Sequence, residues 1–478
     1  MKKTRLDGMK RTIRIIEGML EVLALSVAYY IVWRLGYERS DGFPAYYGTG
    51  KYVLAGVYGM LVIILFLNFD GFKFGYLKPI ESFASQLIAL FGVNFITYFQ
   101  LSLIANVMIS PIPLLVLMLV DGAIALICCF LYSHLYHLMY PPKNMAMVFG
   151  TDNAIDLKFK MDTRSDKYRI TKLISAEESF DSICSQICKY DAVIINDVAA
   201  GVRNDLLKYC YKNQIRAYVA PKMTDIILRG ATDISLFDTP LLLVRSRGLT
   251  FTQRFFKRAM DLVISALALI ISSPIFLLVM LAIKIEDGGP VFYKQERATI
   301  GGKVFKILKF RSMIPNAEKD GKSQPAVDND PRITKVGKLI RATRIDELPQ
   351  IVNILKGDMS IVGPRPERVE HVQQYSELIP EFNFRLSVKG GLTGYAQVYG
   401  KYNTTPYDKL RLDLMYIENY SLMLDIKLML MTIRIMLKKE STEGFNELKE
   451  IERQKAEILA QLQKEKEEAK QETAVGSK

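Results

Sequence analysis

Hydrophobic positions fall into distinct regimes along the 478 residues. The first third holds four long apolar runs, at 18–35, 52–68, 83–105 and 112–139. Each approaches or exceeds the roughly 20 residues that a helix needs to cross a bilayer. Their number and length exclude buried helices of a soluble core. Further on, short apolar runs at 145–149, 192–196 and 215–219 alternate with helical patterns at 152–160, 180–188 and 202–213. That alternation predicts a parallel α/β sheet. A fifth long run, 259–283, opens the last part of the chain. It is followed by a two-faced strand pattern at 304–310, a polar loop at 314–334 and a strongly apolar helical pattern at 410–437. Residues 443–472 are dense in Lys and Glu, with Leu448, Ile451, Ile458 and Leu462 at heptad spacing. A solvated helix and an oligomerising coiled coil both fit that tail.

Charge orients the runs. The N-terminus, MKKTRLDGMKRTIR, is strongly basic, Lys73 and Lys78 lie in the second loop, and Lys143 follows the fourth run. The third loop, 106–111, has no basic residue. The positive-inside rule then places both ends of a four-helix transmembrane bundle, residues 1–142, in the cytoplasm. A cleaved signal peptide does not fit, because the first run continues through Tyr29–Trp33 and three more spans follow. Glu17, Glu21 and Asp121 are unusual acids for such a bundle. The formal net charge of +13 suits anionic lipid, phosphate substrates or nucleic acid. Five cysteines show no metal-ligand spacing and there are three histidines, which fits a reducing cytosol. In the middle region, assigned to 143–250, Gly150-Thr151-Asp152-Asn153 follows the first strand, where a Rossmann fold would bind phosphate. The GxGxxG fingerprint is absent, which argues against dinucleotide binding.

The densest chemistry lies in 340–366, IRATRIDELPQIVNILKGDMSIVGPRP. Asp346 and Glu347 precede Leu348-Pro349-Gln350, and proline suits the first turn of a helix. Helix N-termini favour negative charge, so Asp346 is expected to stay ionised there, as a carboxylate nucleophile requires. Arg341 and Arg344 precede the pair, and Arg365 and Arg368 follow it. Guanidinium groups bind phosphate bidentately. A plain N-cap at Asp346 and a structural salt-bridge cluster are the blander readings. Pro364 and Pro366 fix the backbone around Arg365. Lys309 and Arg311 end the 304–310 strand, either as a solvated edge or as phosphate ligands. The glycines around 390–397 let a backbone approach a ligand, or simply make turns.

These residues resemble the bacterial sugar transferases, the polyprenyl-phosphate hexose-1-phosphate transferases also called monotopic phosphoglycosyl transferases. The resemblance runs from about Phe255 to Met436. It rests on four blocks in order, the third containing the dyad: KRAMDLVISALALIISSPIF, GPVFYKQERATIGGKVFKILKFRSM, DPRITKVGKLIRATRIDELPQ and GGLTGYAQVYGKY. It implies a mixed α/β catalytic domain over 251–442 and a Rossmann-like α/β domain before it; composition assigns a charged helical tail to 443–478. It also implies transfer of a sugar-1-phosphate from a UDP-sugar to polyprenyl phosphate, with release of UMP, at the start of capsular or exopolysaccharide assembly. Asp346 would be the covalent nucleophile and Glu347 the ligand of Mg²⁺. Lys309, Arg311, Arg341, Pro364, Arg365 and Gln397 would bind substrate. The fifth run would be a re-entrant membrane helix, about 256–284, broken at Ser273-Pro274, because a full crossing would carry Asp346 away from cytosolic nucleotide sugars. Lys257, Arg258 and Lys284 flank that run on both sides. The expected site is the cytoplasmic face of a bacterial plasma membrane, with membrane lipid as a further partner, self-association open and no nucleic acid. Tyr395 stands where the family usually has Trp, and Tyr399-Gly400-Lys401 where Asn-Gly-Arg is common. A membrane-bound nucleotide-sugar dehydratase or epimerase, using Tyr168 and Lys172, and a phosphoanion-binding scaffold are the competing classes. A multi-spanning phosphoglycosyl transferase fits worse, since no aspartate-rich motif lies between the membrane helices.

Overall fold

The computed structural model describes residues 2–38, 49–151, 153–236, 238–244, 248–315, 330–400, 404–436 and Arg453. The charged tail, most of the polar loop and Lys401 lie outside these. The chain divides into two compact units, with the boundary in sequence at Lys222/Met223.

In the first unit the apolar runs become α1 (Lys2–Gly36), α2 (Gly50–Asn68), α3 (Pro79–Ala105) and α4 (Ile112–Met139). α1 packs on α2 and α4, and α3 packs on the same two helices. Pro79 opens α3, and Asn106 ends it in the left-handed conformation. The outward faces carry large exposed side chains such as Leu103, Leu119 and Ile127. With α9 below, five helices are long and apolar enough to cross a membrane. The acids point inward. Asp121 accepts from Tyr58 Oη (2.6 Å) and Asn94 Nδ2 (3.2 Å), and Glu21 accepts from Gln86 Nε2 (3.1 Å).

The chain then builds β1 (Lys143–Phe149), α5 (Asn153–Asp162), β2 (Tyr168–Ser175), α6 (Phe180–Ile187), β3 (Ala192–Asn196), α7 (Ala200–Lys212) and β4 (Arg216–Val219). The four strands are parallel, in the order β2-β1-β3-β4. Met145, Met147 and Phe149 pack on the α5 side, and Ala146 and Val148 pack on the side of α6 and α7. Helices on both faces explain why the central strands are continuously apolar. At the C-terminal end of the sheet Gly150 N donates to Asn196 O (3.2 Å), and Thr151 Oγ1 donates to Asp197 Oδ2 (2.6 Å). A Cβ on Gly150 would lie 2.3 Å from Asp197 O. Gly150 is thus small because two loops close on each other there.

The second unit starts with α8 (Met223–Arg229), ahead of the expected boundary near 250. Met223 and Ile226 belong to its core. A short antiparallel pair follows, β5 (Thr232–Ile234) with β6 (Leu241–Leu243). The fifth apolar run becomes α9 (Phe251–Asp287), capped by Thr250 and Gln253. Pro274 lies inside α9 and does not end it, although a break was expected there. The local hydroxyls supply a reason. Ser273 Oγ donates to Ile270 O (2.8 Å), the carbonyl that Pro274 leaves without its usual N–H partner. Ser272 Oγ donates to Ala268 O (2.6 Å).

Both ends of α9 rest on the same unit. Lys257 pairs with Asp425 (2.6 Å), Arg258 donates to Ile354 O and Leu355 O, and Asp261 accepts from Ser360 Oγ and Ile361 N. At the other end Val279 and Ile283 pack with Phe310 and Ile340. Between them Leu267, Ile270, Ile271, Leu277 and Leu278 are exposed.

The remaining elements are β7 (Phe292–Ala298) antiparallel to β8 (Val304–Phe310), α10 (Lys335–Ala342), α11 (Gln350–Lys356), β9 (Ser360–Val362), α12 (Val369–Leu378), β10 (Gly391–Thr393) parallel to β9, α13 (Tyr395–Tyr399), α14 (Pro406–Glu418) and α15 (Leu422–Met436). Phe305, Ile307, Ile354, Val362, Phe382, Leu410, Leu414 and Leu428 form the core. Lys257 and Asp425 are buried at its edge, and Tyr416 Oη also donates to Asp425 (2.8 Å). Removing one partner of a buried pair strands the other charge. Asp425→Ala is therefore expected to destabilise this unit by about 3–5 kcal/mol, and Lys257→Met added to it should recover part of the loss. Thermal unfolding of the two variants in detergent checks both.

Candidate active site

Asp346 and Glu347 sit in a single 3₁₀ turn, Ile345–Glu347, just ahead of α11. Arg344 enters that turn with φ +55°, and Pro349 stands at the N-cap of α11. The Asp346 carboxylate caps neither element, so the bland N-cap reading is not what the structure shows. The flanking Ile345 and Leu348 pack on the cluster of Val279, Ile283, Phe310 and Ile340. Apolar anchors on either side thus fix the acidic turn against the C-terminal half of α9. At the far end of α11, Gly357 takes φ +92°, the left-handed position that closes a helix and favours glycine. Arg258 covers the last carbonyls of that helix.

The dyad faces cations from two other elements. Glu347 Oε1 accepts from Lys309 Nζ (2.8 Å) on β8 and from Arg365 Nη2 (2.8 Å) on the loop after β9. Lys309 Nζ lies 4.0 Å from Asp346 Oδ2. Asn353, which sequence reasoning passed over, holds β8 to α11. Its Nδ2 donates to Lys306 O and its Oδ1 accepts from Leu308 N, both at 2.9 Å. An amide inside the apolar run IVNIL was the available signal.

The two carboxylates are driven apart. Burial raises Glu347, but Arg365 and Lys309 outweigh it and hold the group well below the usual carboxylate range. Asp346 goes the other way. Burial and the neighbouring Glu347 raise it, and Lys309, Arg341 and Arg344 offset this only in part. Burial thus works against the ionisation that the helix terminus favours, without a partner on Asp346 as close as those on Glu347. Pairs of acids pushed apart in this way are a common mark of reactive sites.

The GPRP loop is pinned carbonyl by carbonyl. Pro364 O accepts from Gly391 N (2.9 Å), Arg365 O from Arg385 Nη2 (3.0 Å), and Pro366 O from Arg297 Nη1 (3.1 Å). Arg385 is itself buried against Asp413 (2.8 Å). Neither arginine carried a sequence signal, because each acts through loop backbone far from it in the chain. The glycines around residue 390 serve the same packing. A Cβ on Gly391 would lie 2.1 Å from Gly363 N, and one on Gly394 would lie 2.1 Å from Gly363 O. They bring two backbones together, which neither the ligand-approach nor the plain-turn reading anticipated. Gly391→Ala is expected to displace the Arg365 loop and to cut activity about tenfold or more through mispositioning. Steady-state kinetics beside an unfolding curve separate that effect from simple loss of fold.

The structure brings Asp346, Glu347, Lys309 and Arg365 together, with Pro364 buried beneath Arg365. Arg341 lies on the exposed side of α10 and acts on Asp346 at longer range. Arg311 is buried and paired with Asp287 at the end of α9, and Gly289 packs directly over its guanidinium. Gln397 Nε2 donates to Leu392 O (2.9 Å), while its Oε1 is buried without a hydrogen-bond partner. Tyr395 and Tyr399 pack ring to ring at 4.5 Å.

This constellation lies within residues 252–439, which match the family model described as bacterial sugar transferase. A UDP-N-acetylgalactosamine-undecaprenyl-phosphate N-acetylgalactosaminephosphotransferase of Aeromonas hydrophila is 34% identical over 329 residues, 66% of this chain and 71% of the relative. The chain belongs to the bacterial sugar transferase family. Two UDP-glucose:undecaprenyl-phosphate glucose-1-phosphate transferases are each 42% identical. That of Escherichia coli K12 aligns over 211 residues, 43% of this chain and 44% of the relative. That of Caulobacter vibrioides aligns over 187 residues, 38% of this chain and 69% of the relative. All of α9 except Phe251 and all of the dyad's neighbourhood fall inside the matched segment of this family.

Proposed function

We propose that this protein transfers a sugar-1-phosphate from a UDP-sugar to undecaprenyl phosphate, releasing UMP, as the first membrane step of capsular or exopolysaccharide assembly. The observation that carries this is the Asp346–Glu347 turn, ringed by Lys309 and Arg365 and anchored on α9. Asp346 attacks the phosphorus that bears the sugar, and the bond to UMP breaks. A phosphate oxygen of the polyprenyl phosphate then attacks the aspartyl phosphosugar, which frees Asp346 and leaves a lipid-linked diphosphosugar. Two displacements suit a carboxylate nucleophile. The second nucleophile is already anionic and needs no general base. Lys309 and Arg365, parked on Glu347, are placed to hold the phosphates.

The residues fit a magnesium ion. Adjacent carboxylates offer hard oxygen donors, and magnesium is usually held by one or two carboxylates plus substrate phosphates. Among the described residues no group of three or more His, Cys, Asp or Glu forms a closed protein cage. Glu347 would hold the ion, which when bound neutralises charge on the diphosphate.

α1–α4 form a transmembrane bundle, and the parallel sheet is a Rossmann-like module with a structural or regulatory role. α9 is re-entrant. Both of its ends grip one unit while its apolar middle is exposed, which supports entry and exit on the same face. That face is cytoplasmic by the basic loops. The dehydratase alternative loses its candidate catalytic pair, since Tyr168 and Lys172 both lie in strand β2. The relatives are named for more than one sugar, so a donor panel decides which is used here. Transfer of sugar label from one UDP-sugar to extractable lipid, dependent on added undecaprenyl phosphate, tests the proposal. Labelled lipid is expected. Its absence with every UDP-sugar would overturn the reading.

A further inference from the structure

A groove of about 1000 Å³ runs between α1 and α2 on the outside of the first unit. Its walls are almost wholly apolar. Its two ends differ in chemistry. Arg11 and Arg14 stand at one end, and Tyr30 and Tyr52, stacked at 5.7 Å, close the other. Three glycines line it: Gly18 on α1, and Gly56 and Gly59 one turn apart on α2. They play different parts. A Cβ on Gly18 would lie 2.9 Å from the Phe72 ring, so Gly18 seats that ring in the groove wall. A Cβ on Gly59 would meet Ser26 Oγ at 2.5 Å, so the helices touch there, whereas one on Gly56 would meet nothing within 4 Å and open the groove floor. The buried acids of α1, Glu17 and Glu21, do not line this space.

The basic end belongs to a wider positive patch. Arg14 stacks on the Tyr76 ring at 4.9 Å and Lys167 on the same ring at 3.7 Å, while Lys10 lies over Tyr140 at 4.4 Å. Burial and the charges of Arg164, Lys10 and Arg14 push the Lys167 ammonium down to about 8. Asp166, which pairs with Arg164 (2.9 Å), works against that shift.

Depth selects the occupant. Arg11 to Tyr30 is about 28 Å of helix at 1.5 Å per residue, close to the roughly 30 Å hydrocarbon thickness of a bilayer. An ordinary acyl chain ends near the midplane, roughly half that depth. A chain that fills the groove from a cytoplasmic phosphate to the Tyr30–Tyr52 pair must be longer. We infer that the α1–α2 groove is a second lipid site, holding a polyprenyl phosphate with its headgroup at Arg11 and Arg14 and its chain along Gly18 and Gly56. The groove belongs to the first unit and the acidic turn to the second, and the groove would keep acceptor lipid at the enzyme between turnovers. It rests on the membrane placement of α1–α4 proposed above.

The test uses the full chain in nanodiscs and undecaprenyl phosphate with a diazirine at the chain end, mapped by mass spectrometry after irradiation. Adducts near Tyr30 and Tyr52 are expected. They should be lost in Gly56→Trp and fall about tenfold or more in Arg11→Gln/Arg14→Gln. They should survive excess dioleoyl phosphatidylglycerol. Gly56→Trp should still release UMP with a short, water-soluble acceptor. Adducts spread evenly over the lipid faces of all four helices, competition by phosphatidylglycerol, or no α1–α2 adduct would each overturn the inference. So would protection seen only in dimeric preparations, since a second copy would then fill the groove. Labelling of α9 by the same probe reports separately on the catalytic reading, so failure of one is told from failure of the other.

Discussion

Asp346→Asn is expected to lower turnover by about 10⁴-fold or more while folding and membrane insertion stay normal. The amide has nearly the shape of the carboxylate but cannot form an acyl phosphate. Asp346 makes no capping bond, and the nearest Lys309 Nζ is 4.0 Å away, so little structure depends on its charge. The loss should appear in the first turnover, as absence of a UMP burst. Substantial activity in this variant would remove the covalent step. The wild-type enzyme should show the matching pH dependence. Asp346 must be ionised to attack, and its value in the fold is raised above the ordinary 3.8. Activity should therefore fall as pH drops through that raised value, with the acid limb displaced toward neutrality relative to a free aspartate. The limb should be read in the rate of UMP release under single turnover.

Glu347→Gln should cost about 10²–10³-fold in rate, comparable to removing one preorganised electrostatic contact, and should also weaken the fold. Lys309 and Arg365 converge on one oxygen of Glu347. Neutralising that oxygen leaves two cations facing each other in a half-buried pocket, so both are misplaced for phosphate. The stability effect has a definite sign. The folded value lies below the ordinary 4.5, so ionised Glu347 stabilises the fold above about that pH, and the contribution fades as pH falls through the lower folded value. The thermal stability gap between wild type and Glu347→Gln should thus be full at pH 7 and shrink in strong acid. A gap that widened on acidification would contradict the pairing.

Much of this was legible in the chain because charge and periodicity are local signals. Long apolar runs needed only their length, and the dyad with its arginines stood within 28 residues of sequence, Arg341 to Arg368. What stayed hidden depends on distant partners. β2 went unseen because it is an edge strand, Tyr168–Ser175, with exposed polar residues diluting its pattern. Arg311 and Lys309 looked equivalent at the end of one strand, yet they diverge. Lys309 reaches Glu347 and Arg311 turns back to Asp287 across the Gly288-Gly289 turn. Two residues apart on a continuous strand they would share a face, but β8 ends at Phe310, so Arg311 lies past the alternation and is free to turn toward Asp287. Arg297 and Arg385 escaped for a related reason: their role is to hold the carbonyls of Pro366 and Arg365.

The most direct measurement follows nucleotide and label together when purified protein meets UDP-sugars labelled in the sugar, with and without undecaprenyl phosphate. Expected are UMP as the nucleotide product, label on lipid when lipid is present, and label held on protein when lipid is absent, the last lost in Asp346→Asn. Release of UDP, or label on lipid that persists in Asp346→Asn, would contradict covalent sugar-phosphate transfer at this site.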